Sequence, residues 1–244
     1  MYYGLDKNGN NVYIDDAIVT NIYYCPICNT ELVQKKADIK AHHFAHKAKI
    51  NCPYAHREMS DWHLEWQSHY GRHREILCRS GNEIKIADVL INDTVIEFQH
   101  SPISYDEVES RTLFHTGNNR KIIWLFDFRE KFSRWSITPA TTEDIPNSLW
   151  RKYSFSFAEL KKLECKNIYY WERPNQSITA ICYFNEEEPS YLFFQLADNL
   201  IIRVNWNLRK PEVWFGRHSS FEYFAGDKLT KEEFLDTIQR IINE

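Results

Sequence analysis

Two groups of residues in this chain have types and spacings that can do chemistry, and they ask for different partners. The first is Cys25-Pro-Ile-Cys28 followed by His43-Phe44-Ala45-His46. A Cys-x-x-Cys turn is the usual half of a tetrahedral zinc site, and a nearby pair of histidines can supply the rest. Thiolate and imidazole donors suit zinc better than magnesium or calcium. The expected ligands are Cys25, Cys28, His43 and His46, with Cys52 as the alternative to His43 and His42 also within reach. Four protein ligands leave no open position for a catalytic water, so the expected role is structural. A redox pair is disfavoured, because no thioredoxin-like strand–CxxC–helix setting surrounds Cys25 and Cys28.

The second group lies in Ala87-Asp88-Val89-Leu90-Ile91-Asn92-Asp93-Thr94-Val95-Ile96-Glu97-Phe98-Gln99. Asn92-Asp93 suits a tight two-residue turn between two strands. Counting outward, Ile91 pairs with Thr94, Leu90 with Val95, Val89 with Ile96, and Asp88 with Glu97. Directly opposed residues share a sheet face, with Cβ atoms about 4.5–5.5 Å apart. Gln99 lies two beyond Glu97 and points to the same side. Like charges in direct opposition are destabilising, and a divalent cation would offset the repulsion. Hard oxygen ligands suit Mg²⁺ or Mn²⁺, which keep waters and bind substrate phosphate. That is the chemistry of phosphodiester hydrolysis. The competing reading is a solvent-facing hairpin, and a one-residue slip would separate the pair.

Several elements must position these groups. A hairpin turning at Asn8-Gly9-Asn10-Asn11 and apolar positions at Val12, Ile14 and Ile18 precede the cysteines. Ser60 can cap a helix with Trp62, Trp66 and Tyr70 on one face. Strands over Glu83–Ile91 and Thr94–Gln99 follow. Ser104 and Glu107 form a capping box for a helix to about Thr116. The run Lys121–Phe128, KIIWLFDF, has the unbroken apolar character of a central strand. Beyond a connector at 129–150, strands are expected at Ile178–Phe184, Tyr191–Leu196, Leu200–Trp206 and Glu212–Phe215. Thr230 and Glu233 cap a closing helix with Phe234, Ile238, Ile241 and Ile242 on its apolar side.

Composition sets the frame. The 244 residues are 43% hydrophobic, enough for a sizeable core and a small module besides. The net charge of -4 gives no global attraction to nucleic acid, so a nucleic-acid enzyme would need a local basic face. Lys35, Lys36, Lys40, Arg72, Arg74 and Arg79 are candidates for one. The aromatic C-terminal residues Trp206, Trp214, Phe215 and Tyr223 suit a core better than base stacking. No signal peptide or membrane-length apolar run is visible, so a cytoplasmic chain with reduced cysteines and no membrane partner is expected. Phosphate loops of the GxxxxGK[ST] type and GxSxG elbows are absent, which excludes those ATPase and hydrolase classes.

The order CPIC, HHFAH, Ser60-Asp61-Trp62-His63, ADVL, IEFQHSPIS and then Arg111 resembles the competence protein CoiA-like family over roughly residues 1–130. The resemblance implies an α/β fold: a PD-(D/E)XK restriction-endonuclease-like mixed sheet flanked by helices. A small N-terminal zinc-binding module would occupy 1–56 and the nuclease core 57–130; the resemblance lends no support to 131–244, whose own pattern suggests an aromatic-rich, β-rich C-terminal extension of unknown role. The resemblance implies a Mg²⁺- or Mn²⁺-dependent deoxyribonuclease with Asp88 and Glu97 on the metal and Gln99 placing a water. Glutamine cannot supply positive charge to a transition state, so Arg111 is the candidate cation. His63 matches a helix histidine of the family. Implied partners are single- or double-stranded DNA and a recombination or defence protein. Where the family often has Glu-Ser and a lysine, this chain has Met59-Ser60 and Gln67. The alternative is a non-catalytic DNA-binding accessory protein that presents DNA to a recombination partner.

Overall fold

The computed structural model describes residues 1–36, 42–47, 51–52, 59–101 and 103–129. It also describes 136–140, 167–172, 190–204, 217–218 and 221–244, with 136–140, 167–172, 190, 204, 217–218 and 221–226 as backbone alone. They form two compact units, Met1–Leu90 and Ile91–Glu244.

In the first unit, β1 (Tyr3–Leu5) and β2 (Asn11–Tyr13) make the expected hairpin. Its turn begins earlier than the asparagines suggest. Asp6 accepts from the amides of Asn8 and Asn10, both at 2.8 Å, and Gly9 takes φ +80°. Asn11 is already in the strand. Three more strands, β3 (Tyr23–Tyr24), β4 (Glu31–Lys35) and β5 (His43–His46), complete a five-stranded sheet in the order β2-β1-β3-β4-β5. Its core gathers Tyr2, Tyr13, Ile14, Tyr23, Leu32 and Phe44 around Cys25 and Cys52. Ile18 does not join it: with Val19 and Ile22 it is exposed, on a loop whose carbonyls at Ile18 and Asn21 accept from Gln34.

Helix α1 (Asp61–Ser68) starts where Ser60 Oγ accepts from the His63 amide at 3.2 Å. It ends before Tyr70, which is half-buried just past it. The sequence reading passed over β6 (Arg74–Ser80), which pairs antiparallel with β7 (Glu83–Ile91). Polar residues disguise β6, yet each has a task in this unit. Arg74 stacks 4.1 Å over the Tyr2 ring and Glu75 accepts from the Tyr2 amide at 3.0 Å. Arg79 donates to the Pro26 carbonyl at 2.8 Å.

The second unit opens with β8 (Thr94–Gln99), separated from β7 by the two residues expected, Asn92 (at φ +53°) and Asp93. Helix α2 (Tyr105–Thr116) then leads to β9 (Lys121–Asp127), which runs parallel to β8. Ser104 caps α2 by accepting from the Glu107 amide at 3.2 Å. Trp124 of β9 donates to Thr112 of α2 at 2.9 Å, which locks the helix on one face of the sheet.

Six further strands are β10 (Ser136–Ala140), β11 (Asn167–Glu172), β12 (Ser190–Ala197), β13 (Leu200–Val204), β14 (Arg217–His218) and β15 (Phe221–Leu229). Within this unit the order is β10-β11-β15-β13-β12-β9-β8, with β14 on β15. β12 lies parallel to β9, so the C-terminal region extends the same sheet. With strands on both sides, β9 is buried almost throughout, as its continuous apolar run requires. Helix α3 (Lys231–Asn243) has the full capping box of Thr230 and Glu233 and buries Phe234, Ile238, Ile241 and Ile242. Lys121 donates to the Ile241 carbonyl at 2.9 Å, a favourable cation at a helix C-terminus.

The strands expected at Ile178–Phe184 and Glu212–Phe215, and the side chains of Lys40, Trp206, Trp214, Phe215 and Tyr223, lie outside the described residues. Among the described residues no helix is long and apolar enough to cross a membrane.

Candidate functional site

In the first unit, a tight knuckle carries Cys25 and Cys28. The Asn29 amide bonds the Cys25 carbonyl at 2.9 Å, and Asn29 takes φ +56°, a conformation asparagine tolerates better than most residues. The Ile27 amide points at Cys25 Sγ from 3.4 Å. β5 and the segment at Cys52 close on this turn. Cys28 Sγ lies 3.3 Å from His46 Nε2, and Cys25 Sγ lies 3.9 Å from Cys52 Sγ. Ligand atoms of Cys25, Cys28, His46 and Cys52 all fall within 4.8 Å of one another. Two sulfurs bound tetrahedrally at about 2.3 Å from zinc stand about 3.8 Å apart, so the donor set and its spacing fit such an ion.

The fourth member of the cluster is Cys52, and His43 is not among its residues. The segment His43–His46 is a strand, and residues three apart on a strand face opposite ways. His46 and the buried Phe44 share one face, while His43 shares the other with Ala45. Burial first, with the neighbouring Cys28 and Cys52 sulfurs adding to it, pushes the Cys25 thiol up to about 12 against the backbone amides that face it. For Cys28 burial works in the same direction, but hydrogen bonds from Thr30, His46 and Cys25 outweigh it and hold the thiol down at about 6. The knuckle is thus built to carry a thiolate, the form that ligates metal. The cluster can hold a metal such as zinc.

The other group is divided between the units. In the first, Asp88 on β7 is 1% exposed. His63 Nε2 of α1 stands 3.4 Å from its Oδ1, and Gln67 Nε2 donates to its main-chain carbonyl at 3.2 Å. His63 and Gln67 are four apart, hence on one face of the helix.

In the second unit, Glu97 on β8 is also 1% exposed. Arg111 of α2 donates from Nη1 to Glu97 Oε2 at 2.9 Å and from Nε to Glu107 Oε1 at 2.8 Å. His115, one turn further along α2 and fully buried, brings Nε2 to 3.9 Å from Glu97 Oε1. The sequence reading named Arg111 but passed over His115. The signal was available, since the two are four apart on a helix that follows the glutamate strand. Gln99, next on the same side of β8, donates to Ser101 Oγ at 3.2 Å.

The basic residues considered as a nucleic-acid track are largely engaged in holding the first unit together. Arg72 pairs with Asp16, and Lys36 donates to the Ala17 carbonyl at 2.8 Å. Arg74 and Arg79 hold Tyr2 and the knuckle as described above.

Two family models match this architecture. The N-terminal domain of competence protein CoiA matches residues 11–55, which include β2 to β5 and the knuckle with the cysteine cluster. The nuclease-like domain of competence protein CoiA matches residues 82–186, which include Asp88, Glu97, Gln99 and Arg111 and continue well past β9. No curated protein and no solved structure gives a significant match.

Proposed function

Since the chain belongs to the competence protein CoiA-like family, we propose that it is a metal-dependent deoxyribonuclease of the PD-(D/E)XK type. It would hydrolyse phosphodiester bonds during competence-type DNA processing or defence against foreign DNA. The observation that carries the reading is Glu97. A carboxylate 1% exposed in the middle of an apolar strand, within the nuclease-like match and facing Arg111, is costly unless it has work to do.

Asp88 and Glu97 would hold Mg²⁺ or Mn²⁺. The two-residue connection at Asn92 and Asp93 supports the register in which they oppose each other. Their oxygens are the hard donors such ions take. When bound, the ion would stabilise charge on the scissile phosphate and ease ionisation of the attacking water.

The chain's own residues would do the rest. Gln99 is neutral and would orient water through its carbonyl oxygen. Arg111 supplies the positive charge that lysine gives elsewhere, and its fork can pass from Glu97 to a phosphate oxygen. The Cys25, Cys28, His46 and Cys52 cluster would bind structural zinc and so position the N-terminal sheet against DNA.

The Arg111–Glu97 ion pair also favours a second reading, because it satisfies the carboxylate without a metal. In that reading the protein binds DNA and presents it to a recombination partner without cutting it. Labelled single- and double-stranded DNA incubated with Mg²⁺ or Mn²⁺ separates the two. Cleavage is expected to require metal and to fall about 10²–10³-fold in folded Glu97→Ala. Wild-type protein that binds DNA in a salt-sensitive way and cuts nothing would establish the accessory reading instead.

A further inference from the structure

Around Asp88 the donors are mixed in kind. Carboxylate Oδ1 and imidazole Nε2 of His63 are 3.4 Å apart, with both side chains buried. That is long for an N–H···O bond, whose usual length is about 2.9–3.0 Å. It suits two ligands of one ion. Donors about 2.1–2.2 Å from a common centre reach a separation of about 3.4 Å when the angle between them is about 100–105°. Gln67 reaches the same residue through its main chain. Its nitrogen is fixed on the Asp88 carbonyl, and its Oε1, fully buried, has no hydrogen-bond partner among the described residues. All three come from two rigid elements, α1 and β7, and the spacing of four on α1 sets His63 and Gln67 side by side.

We propose that His63 is a nitrogen ligand of the ion held by Asp88, and that the site therefore selects a first-row transition ion over Mg²⁺. The inference rests on the nuclease reading in one respect, that Asp88 ligates the ion. Mg²⁺ demands hard oxygen donors and sheds water reluctantly, whereas imidazole favours ions with d electrons. Buried, apolar surroundings sharpen the choice. His63 is itself buried, on a helix whose Trp62 and Trp66 are buried as well.

Mn²⁺ is the probe. The zinc-loaded full chain, titrated with Mn²⁺ and measured by pulsed electron paramagnetic resonance, should give a ¹⁴N coupling. Labelling the protein with ¹⁵N-histidine should convert that coupling to ¹⁵N without any substitution. Isothermal titration should show Mn²⁺ binding at least about tenfold tighter than Mg²⁺, with most of that ratio lost in His63→Gln. Asp88→Asn identifies the site by removing the binding. Mn²⁺ that depends on Asp88 yet couples to no nitrogen would overturn the proposal and leave the nuclease reading standing. A coupling that persists in His63→Gln would overturn it equally. If no ion binds in an Asp88-dependent way, both readings fall together.

Discussion

The cysteine–histidine cluster of the first unit and the glutamate site of the second both bring together polar groups that need a counterpart, and they are held by opposite means. Cys25 and Cys52 are themselves part of the small core that the N-terminal sheet encloses, beside Tyr23, Leu32 and Phe44. The strands there are short, and the knuckle is a loop. An ion at that place would act as an internal cross-link, so its binding energy would be folding energy. Glu97 sits instead on a strand hydrogen-bonded to β9 and backed by α2, in an apolar framework of longer strands and a capped helix. Its charge is met by Arg111 and approached by His115. The difference teaches that one metal would belong to the architecture, whereas the other would come and go with substrate.

The largest effect that tests this contrast is metal removal. Chelation of the zinc-loaded protein, or Cys52→Ser, should melt the N-terminal sheet and lower its stability by several kcal/mol. The second unit should keep its secondary structure. His43→Ala should leave metal content unchanged, because His43 faces away from the cluster. Metal analysis with thermal unfolding reads both. Equal metal loss in the two variants would break the assignment of Cys52.

A smaller effect is expected at Arg111. Arg111→Ala should reduce cleavage about 10²-fold with little change in unfolding temperature, and Arg111→Lys should recover part of the rate. Removing a cation that only balanced Glu97 would instead destabilise the fold, because a buried carboxylate would be left uncompensated. Stability and rate measured on the same preparations tell the two apart. The smallest effect is at the far end of the chain. Thr230→Ala removes one half of the α3 capping box and should cost about 1 kcal/mol in denaturant unfolding, without altering metal content or cleavage.

How much of this was legible in the sequence depends on whether local rules were at work. The caps at Ser60, Ser104 and Thr230, the turn at Asn92-Asp93 and the unbroken apolar run of β9 are short-range signals, and each element begins or ends where they point. Where tertiary contacts decide, the reading stopped short. β6 has no clean alternation, because Arg74, Glu75 and Arg79 are polar residues with fixed partners at Tyr2 and in the knuckle. Ile18 looked like a core position and is exposed, its loop held out by Gln34. For His43, the strand character of His-Phe-Ala-His was the missing step, since alternation alone sets its first and last residues on opposite faces. His115 was overlooked although it lies four beyond Arg111, because that spacing gains its meaning only when the glutamate strand is set beside the helix.

The parallel pairing of β9 with β12 also sets a clock. Ile122 of β9 meets Ser190, and Asp127 meets Gln195, so the second flank of the central strand is 68 residues away in the chain. A ribosome adding about 5–20 residues per second takes roughly 3–14 s to cover that distance. During that interval β9 has one open edge of apolar backbone, the kind of surface that invites pairing with another chain. Anything that stalls synthesis between β9 and β12 should therefore yield sticky, inactive fragments.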